Sequence, residues 1–436
     1  MTKEEMKQAV CDAIDASASE IERVALDIER EPELGFKETK TAGKIESYMK
    51  GLGLSPETGL AITGVKTRVK GASAGPTVAV LSELDAVGTP DSPKADPLTG
   101  AAHTCGHFLQ MASMMAAATG IAKSGVMKEL CGDAVFFAVP AEEYVEIDYR
   151  KRLMNEGKIH FLSGKGELIY EGAFDDIDMA MMMHSQGCSP EKAIFIGQSS
   201  NGFVGKTIQY IGKTAHAANA PCDGINALNA ACLGLMGINA LRETFREQDI
   251  VRVHPIITKG GDLVNSVPAD VRIETYVRAK TMEAIENVQH RVDAALKAGG
   301  DAIGAKVVIE TLPGQLPLHC CGEMNDLFVS NVKIEAPDTA VKDAGHFNAS
   351  TDMGDVSHIM PAIHPFIGGV DGNLHTKEFS VVDFEAAAIS PGKSFAMTII
   401  DLLYDGAARA NEIKAKNKPL MTKQEYIDKL DSYFAK

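Results

Sequence analysis

Basic residues are scarce in this sequence relative to acidic ones. Its 436 residues include 43 Lys and Arg against 59 Asp and Glu, a formal net charge of −16. Nucleic acids and anionic membranes attract basic surfaces, so this balance argues against both as partners. The charged start of the chain lacks the apolar core of a signal peptide, and the longest apolar run, 109–127, is interrupted by Gly and Lys. We expect a cytoplasmic protein in which this run is a buried helix rather than a membrane span.

Cysteines with the spacing of a disulfide framework are also missing. The eight cysteines are scattered, apart from the adjacent Cys320 and Cys321. In a chain of this length the pattern predicts reduced thiols. The composition, 45% hydrophobic and 23% charged, is otherwise that of a soluble globular protein. A chain this long exceeds one ordinary core, so we expect two domains.

Strands alternate with helices in the first part of the chain. Short apolar runs at 77–86, 133–143 and 178–185 predict strands, and the Ala- and Met-rich segment 107–122 predicts a helix. Such alternation predicts an α/β domain, with a mostly parallel sheet flanked by helices on both faces.

Each of the three predicted strands ends in side chains that can ionise or bind metal. The first ends in Glu83 and Asp85, the second in Glu142 and Glu143, and the third in His184. In open α/β sheets the ligand crevice lies outside the carboxyl ends of the strands. Three such endings in one sheet therefore predict a functional site at this edge.

The pattern changes at about residue 200. Predicted strands and helices follow in the order β-α-β-β-α-β, at 202–212, 222–244, 251–258, 270–279, 281–299 and 305–312. This order predicts a ferredoxin-like α+β domain. Because α/β features resume after it, we expect it to be inserted over 200–314, between catalytic segments at 1–199 and 315–436. The last thirty residues predict charged surface helices.

The stretch "AAHTCGHFLQ" places His103, Cys105 and His107 at alternate positions just before a predicted helix. The positive end of the helix dipole favours a thiolate, which fits either a metal ligand or a nucleophile. A cysteine hydrolase would need a histidine base with an Asn or Asp partner, but no pair of carboxylates. Adjacent Glu142 and Glu143 point to opposite sides of an extended chain. One can then bind metal while the other handles protons, and this favours a metal site.

Two more histidines complete a predicted set of metal ligands. The set contains Cys105, His107, Glu143, His184 and His375, which is enough for two ions that share a site. Four histidines have no context that suggests a role, namely His160, His254, His290 and His319. Four others stay open, namely His103, His346, His358 and His364.

Five motifs occur in consistent order between about residues 20 and 400. They are "HTCGH", "VPAEE", "GKTAHAA", "GGDLVNSVPAD" and "STDMGDVSHIMPAIHPFIGG", the last followed by "LHT". Together they resemble the aminoacylase-type metallopeptidase and amidohydrolase family. The resemblance is strongest to the branch with aminobenzoyl-glutamate hydrolase, amidohydrolases of indoleacetyl amino acids, and related acyl-amino-acid hydrolases and dipeptidases. It implies a zinc-peptidase-like α/β domain interrupted by a ferredoxin-like lid that dimerises.

The resemblance also implies roles for individual residues. It assigns a co-catalytic pair of divalent ions, zinc or manganese, to the five predicted ligands, with Glu142 as general base and Asp85 behind the ligands. Relatives outside this branch have His-x-Asp at the first strand end and a bridging Asp later. Here Glu83-Leu84-Asp85 replaces the former and Cys105 takes the bridging place. A thiolate ligand favours zinc over manganese.

Three residues of the predicted lid match family positions that act on substrate. His216 in "GKTAHAA" matches a lid histidine that reaches the active site of the dimer partner and steadies the oxyanion. Asn265 and Arg278 match positions that hold a substrate carbonyl or carboxylate, and the planar guanidinium of Arg suits a carboxylate. A surface charge on a strand is the alternative for Arg278.

We therefore predict a homodimeric metal-dependent hydrolase that cleaves the amide bond of a small N-acyl amino acid or dipeptide. One alternative is a non-catalytic or obligate hetero-oligomeric subunit of an aminobenzoyl-glutamate-type hydrolase. The other is a cysteine hydrolase that uses Cys105. The sequence does not specify the acyl group or the amino acid.

Overall fold

The computed structural model describes residues 1–434. The helices are α1 (Lys3–Asp15), α2 (Ala18–Glu29), α3 (Thr39–Gly51), α4 (His107–Ser124), α5 (Ile147–Asn155), α6 (Gly164–Glu171), α7 (Ala227–Leu241), α8 (Met282–Ile303), α9 (Gly322–Glu335), α10 (Met353–Ile359), α11 (Ser390–Lys416) and α12 (Lys423–Phe434). The strands are β1 (Glu57–Leu60), β2 (Gly64–Lys70), β3 (Ser73–Glu83), β4 (Val87–Gly88), β5 (Ala101–Ala102), β6 (Cys131–Val139), β7 (Met179–Met181), β8 (His184–Ser185), β9 (Ala193–Ile196), β10 (Ser199–Ser200), β11 (Gly202–Ile211), β12 (Arg252–Val253), β13 (Ile256–Lys259), β14 (Asp270–Ala279), β15 (Lys306–Pro313), β16 (Ala340–Asp343), β17 (His346–Phe347), β18 (Ala362–Ile363), β19 (Phe366–Ile367), β20 (Val370–Asp371) and β21 (Ser380–Val381).

The first of two compact units comprises Met1–Ser199, His319–Gly345 and Asp355–Lys423. Its main sheet has the strand order β1-β2-β6-β3-β7-β18. The pairs β6–β3, β3–β7 and β7–β18 are parallel, whereas the pairs β1–β2 and β2–β6 are antiparallel. The prediction of a mixed, mostly parallel sheet is confirmed. Because β6, β3 and β7 are parallel neighbours, their carboxyl ends lie along one edge.

Helix α4 forms the centre of the core in this unit. It is buried from His107 to Ile121 and packs against α1, α2 and α11. Small Ala and flexible Met side chains allow helices to approach this one from several sides. This is the apolar run that we predicted as a buried helix. Among residues 1–434, no helix has both the length and the apolar character needed to cross a membrane.

The second unit comprises Ser200–Leu318, His346–Gly354 and a C-terminal segment that begins at Gln424. Its sheet has the order β12-β14-β11-β15, with β13 also paired to β14, and every pairing is antiparallel. Helices α7 and α8 pack on each other and on this sheet. The first and third strands of the predicted β-α-β-β-α-β order are β11 and β14, and they are central neighbours, as in the ferredoxin-like arrangement that we predicted.

Three details differ from the sequence prediction. The predicted strand at 251–258 is divided into β12 and β13, and the interruption contains Pro255, which has no N–H for a ladder. The strand predicted at 178–185 is divided into β7 and β8. The terminal helix α12 is not merely a charged surface helix, because it buries Tyr426, Leu430 and Tyr433.

Candidate metal centre

The carboxyl ends of three parallel strands bring acidic and histidine side chains to one edge of the main sheet. Glu83 is the last residue of β3, and Asp85 follows two residues later. Glu142 and Glu143 follow β6, and His184 follows β7. This is the edge at which the alternating pattern predicted a site.

The start of α4 supplies two more of these side chains. The helix begins at His107, and the preceding Gly106 has a φ of 83°. A Cβ atom at Gly106 would lie 2.4 Å from Ser185 Oγ, so both the backbone conformation and the close approach require glycine. This tight entry places Cys105 and His107 on either side of the turn, where both are buried.

The five predicted ligands lie together around the Cys105 thiol. Two groups of three share this residue, namely Cys105 with His107 and His184, and Cys105 with Glu143 and His375. Within each group the ligand atoms lie within 4.8 Å of one another. The Cys105 Sγ atom lies 3.4 Å from His184 Nε2 and 3.2 Å from His375 Nε2.

Backbone carbonyls fix the orientation of two of these histidines. His107 Nδ1–H donates to the Asp85 carbonyl at 2.8 Å, and His184 Nδ1–H donates to the Ser185 carbonyl at 2.9 Å. A carbonyl can only accept, so the neutral form of each ring keeps its lone pair on Nε2. Metal-binding histidines commonly have this arrangement.

Two buried polar atoms in the cluster are better placed to bind a cation than to form a hydrogen bond. His107 Nε2 and Glu143 Oε1 have no hydrogen-bond partner within residues 1–434. They nevertheless lie 3.1 Å from Glu83 Oε2 and 2.9 Å from His375 Nε2, respectively. Short distances without hydrogen-bond alignment indicate that these atoms face a shared space. Thiolate, imidazole and carboxylate ligands suit divalent ions such as zinc.

The ionisable groups in this cluster strongly perturb one another. Burial and Glu143 act to raise the pKa of the Cys105 thiol, but three histidines outweigh them and lower it to about 6. Burial also acts to raise the pKa of Glu143, yet His375 prevails and lowers it to about 2. The same pairing, with Glu143 as the largest cause, raises the pKa of His375 to about 11. Protonated histidines thus balance the anionic ligands, and a bound cation would replace those protons.

The two adjacent glutamates belong to different groups. Glu143 lies with Cys105 and His375, whereas Glu142 lies with Glu83 and His107 in a third group of ligand atoms within 4.8 Å of one another. Both glutamates are buried. Their separation allows one to bind a cation while the other serves as a base.

The peptide segment that carries these glutamates is held by groups that the sequence analysis did not single out. The Ala141 N–H donates to Glu38 Oε1 at 2.9 Å, and the Ala141 carbonyl accepts from Gly164 N at 3.1 Å. The Glu38 side chain also accepts from Thr63 Oγ1 at 2.8 Å. Ala141 itself has a φ of 53°, in the left-handed region that non-glycine residues rarely adopt.

Asp85 and Arg150 hold the backbone of Glu143 through hydrogen bonds. The Glu143 N–H donates to Asp85 Oδ2 at 2.9 Å, and the Arg150 guanidinium donates to the Glu143 carbonyl. Asp85 Oδ1 also lies 3.3 Å from His107 Nδ1. Asp85 therefore lies behind two predicted ligands at once. Arg150 is fully buried, although its sequence context, "DYRKRL", offers no signal that distinguishes it from neighbouring surface charges.

The catalytic candidate His216 and the predicted substrate-binding residues Asn265 and Arg278 lie in the second unit. His216 is exposed, and its Nδ1 atom accepts a hydrogen bond from the Asn219 N–H at 3.1 Å. The neutral ring therefore carries its proton on Nε2, which can act as a donor. The Asn265 carbonyl accepts from Ala217 N at 2.9 Å, which places Asn265 beside this histidine in the fold. Half-buried Arg278 lies over two aromatic rings, with its guanidinium carbon 4.9 Å from the Tyr276 ring centroid.

The histidines whose roles stayed open lie in different surroundings. His364 is close to the cluster, with its ring centroid 5.8 Å from that of His184, and its Nε2 has no hydrogen-bond partner within residues 1–434. His103 is buried, and burial lowers its pKa to about 3. His358 lies against His319, and His346 contacts the Asn201 side-chain oxygen at 3.0 Å in the second unit.

Comparisons with known proteins agree with this arrangement. Residues 199–302 match the peptidase dimerisation domain of the M20 type. The chain is 27% identical to the Xaa-Arg dipeptidase of Mus musculus, over 92% of this chain and 90% of that protein. It is also 27% identical to one of the chains of p-aminobenzoyl-glutamate hydrolase from Escherichia coli, over 70% of this chain and 60% of that one.

A solved structure shows the same fold. The YXEP protein of Bacillus subtilis, described as a dinuclear metal-binding peptidase of the M20 family, superposes with a TM-score of 0.65 at 20% identity. The superposition covers 89% of this chain and 99% of that one. The family prediction made from the motifs is confirmed. This chain is therefore similar over most of its length to a dipeptidase, contains a match to the M20-type peptidase dimerisation domain, and shares the fold of a peptidase described as a member of the M20 family.

Proposed function

We propose that this protein hydrolyses the amide bond of a small N-acyl amino acid or dipeptide with two divalent metal ions. The observation that carries the proposal is the convergence of five ligand side chains around the shared Cys105 thiol, beside the separate carboxylate of Glu142. The dipeptidase and aminobenzoyl-glutamate hydrolase relatives support this substrate class.

The ligands divide between two cation positions. Cys105, His107 and His184 would hold one ion, and Cys105, Glu143 and His375 the other. When bound, the ions supply Lewis acidity to the scissile carbonyl and lower the pKa of a water molecule. We propose zinc, because a thiolate and three imidazoles are ligands that zinc prefers to manganese.

Glu142 would manage the protons of the reaction. Its carboxylate accepts a proton from the attacking water and later donates it to the nitrogen of the leaving amine. One carboxylate can therefore serve both halves of the hydrolysis, and it is unchanged at the end. The hydrogen bonds to Ala141 and Glu143 hold the backbone on both sides of Glu142 while it does so.

The lid residues would act on the substrate. We propose a homodimer in which the inserted domain, 200–314, interrupts the catalytic segments 1–199 and 315–436. His216 of one protomer would donate a hydrogen bond from Nε2 to the developing oxyanion in the active site of its partner. The hydrogen bond that its Nδ1 accepts from Asn219 supports this, because it leaves the proton of the neutral ring on Nε2. Asn265 would bind a substrate carbonyl, and Arg278 a substrate carboxylate.

Metal removal combined with substitution of Glu142 tests this function. Chelated protein should lose activity on a panel of acyl amino acids, aminobenzoyl-glutamate and dipeptides, and regain it with Zn²⁺ or Mn²⁺. Glu142→Gln should lower kcat at least ~100-fold while both metal equivalents remain bound, because only proton transfer is removed. Glu146→Gln, at the N-cap of α5, is the control and should leave kcat unchanged.

Three results would contradict the proposal. They are a metal-free protein as active as the reloaded one, wild-type turnover in Glu142→Gln, and a covalent acyl-enzyme on Cys105. A metal-loaded chain that is inactive alone and active only with a second related chain would instead favour the hetero-oligomeric alternative.

A further inference from the structure

A fully buried ion pair lies directly behind the metal cluster. Lys165 Nζ, near the start of α6, lies 2.6 Å from Glu83 Oε1 at the end of β3. Both side chains have zero solvent exposure. The reaction proposed above assigns a task to neither residue. Removing two charges from water costs more than an apolar pair of the same size would, so this pair has no advantage for stability alone.

The Glu83 carboxylate is fixed in one orientation. Its Oε2 atom accepts from Gln110 Nε2 at 2.8 Å, while the Glu83 N–H donates to Gln110 Oε1 at 2.9 Å. Lys165 holds the other oxygen. Both carboxylate oxygens therefore have strong donors, and the group cannot rotate without breaking one of these contacts.

The fixed carboxylate faces one side of the metal cluster. Glu83 Oε2 lies 3.1 Å from His107 Nε2, the atom expected to bind a cation. Glu83, His107 and Glu142 form the third group of ligand atoms within 4.8 Å of one another. Glu83 does not belong to either group that contains His375 or His184.

We propose that Glu83 and Lys165 are positioning residues that make the two cation positions unequal. Glu83 supplies negative charge to the position of Cys105, His107 and His184. Lys165 and Gln110 restrain its oxygens, so that the charge acts without the carboxylate taking a coordination place that water or substrate needs. This inference rests on the metal-dependent function proposed above.

Substitution of the two members of the pair should therefore affect metal binding differently. Glu83→Gln keeps the shape but removes the charge, so one of the two metal equivalents should bind at least ~10-fold more weakly and the other should not change. Lys165→Met frees the carboxylate to approach the cation. Affinity should then be equal or tighter, kcat should fall, and the absorption spectrum of the Co²⁺-loaded protein should shift as its ligand set changes.

Metal affinity is measured by competition with a chromophoric chelator, using Zn²⁺ and Co²⁺, on protein whose folding is checked by circular dichroism. Lys7 and Asp401 form a matched control pair, because they are also buried in the first unit and their charged atoms also lie 2.6 Å apart. The variant Lys7→Met/Asp401→Asn should leave both affinities unchanged. If Lys165→Met does not fold, the neutral double variant Glu83→Gln/Lys165→Met decides, and it should bind metal as weakly as Glu83→Gln.

The possible failures are distinguishable. Wild-type affinities in Glu83→Gln or in the double variant would overturn the inference while leaving the proposed function intact. Equal weakening by Glu83→Gln and by folded Lys165→Met would also overturn it, because the pair would then act only through the fold. A wild-type protein that binds no divalent ion would instead refute the proposed function itself.

Discussion

At the scale of single residues, Ala141 shows how the two glutamates come to serve different groups. Its left-handed conformation, with a φ of 53°, costs about 1–3 kcal/mol in a non-glycine residue. The turn that it makes sends Glu142 toward Glu83 and Glu143 toward His375. The hydrogen bond that the Ala141 N–H donates to Glu38 and the one that the Ala141 carbonyl accepts from Gly164 N offset that cost, so the strain is confined to the peptide that carries Glu142.

Through Glu38, the stability of the metal-free protein should depend on pH. Burial, and secondarily the charge of Asp85, raises the pKa of Glu38 to about 7. Because this pKa is higher in the folded than in the unfolded protein, Glu38 of the folded metal-free protein is still protonated at pH values where the unfolded chain has lost that proton. Stability from this group is therefore complete below about pH 4.5 and is lost as pH rises through about 7. Glu38→Gln mimics the protonated acid and should remove this loss, which amounts to at most about 3 kcal/mol.

Urea unfolding of the metal-free protein between pH 5 and pH 8 measures this effect. The free energy of unfolding of Glu38→Gln, relative to wild type, should increase with pH across that range. The exposed Glu57→Gln serves as the control, with no change in its difference from wild type. A flat difference for Glu38→Gln would show that Glu38 is ionised throughout.

At the scale of elements, the segment from α5 to α6 determines the shape of the site. It contributes Arg150, which holds the Glu143 carbonyl, Gly164, which holds the Ala141 carbonyl, and Lys165, which holds Glu83. Arg150 and Lys165 could not be recognised from the sequence, because isolated charges on short helices usually face water, and nothing local distinguishes Gly164 from other glycines. They are buried only because the folded chain brings α5 and α6 against the end of β6, and local sequence does not encode that contact.

The strand ends, by contrast, could be predicted. An apolar run that stops at Glu83, at Glu142 and Glu143, or near His184 indicates both a buried strand and a polar end, and parallel neighbours bring such ends together. No strand end indicated His375, which lies on a loop after β20 with a φ of 61°, and it was predicted as one more histidine needed to complete the ligand set. The breaks in the predicted strands at 178–185 and 251–258 were not predicted, although Pro255 is a local signal for the second of them.

Gly164→Ala tests the importance of the α6 start. A Cβ atom there would lie 1.6 Å from the Pro140 carbonyl oxygen, so the Pro140–Glu143 peptide or α6 must shift. We expect a loss of about 1–3 kcal/mol in unfolding free energy. We also expect a fall in kcat that exceeds any change in KM, because Glu142 is displaced.

Gly43→Ala is the matched control for this substitution. Gly43 lies inside α3, and a Cβ atom there would meet no neighbouring side chain within 4 Å. Alanine should therefore raise stability by up to about 1 kcal/mol and leave kcat unchanged. Chemical denaturation and steady-state kinetics measure both variants. Wild-type activity in Gly164→Ala would show that the position of Glu142 does not depend on this close approach.

At the scale of the whole molecule, the second unit leaves apolar side chains uncovered in a single chain. Fully or largely exposed residues there include Met236, Ile256, Leu263 and Val264. Exposed apolar groups of this kind often mark protein–protein contacts. They lie within the residues that match the dimerisation domain, 199–302, and support the homodimer proposed above.

Mixing two inactive variants tests whether His216 acts across the dimer. Glu142→Gln and His216→Ala should each be nearly inactive alone. In a mixed dimer, one site would combine an intact Glu142 from one protomer with an intact His216 from its partner, so activity should return to as much as half that of wild type per mixed dimer. Differently tagged chains, refolded together and purified through both tags, provide the sample. No recovery would place both residues within the same protomer.

The position of Cys105 also makes the protein sensitive to oxidation by peroxide. One sulfur belongs to both cation groups, and its pKa of about 6 makes it a thiolate at neutral pH in the metal-free protein. Peroxide oxidises a thiolate to a sulfenic acid, and a second equivalent of peroxide gives a sulfinic acid, which ordinary thiols do not reduce. Oxidation of this one sulfur would therefore disrupt both proposed cation positions together, and we expect bound metal to protect Cys105 from peroxide.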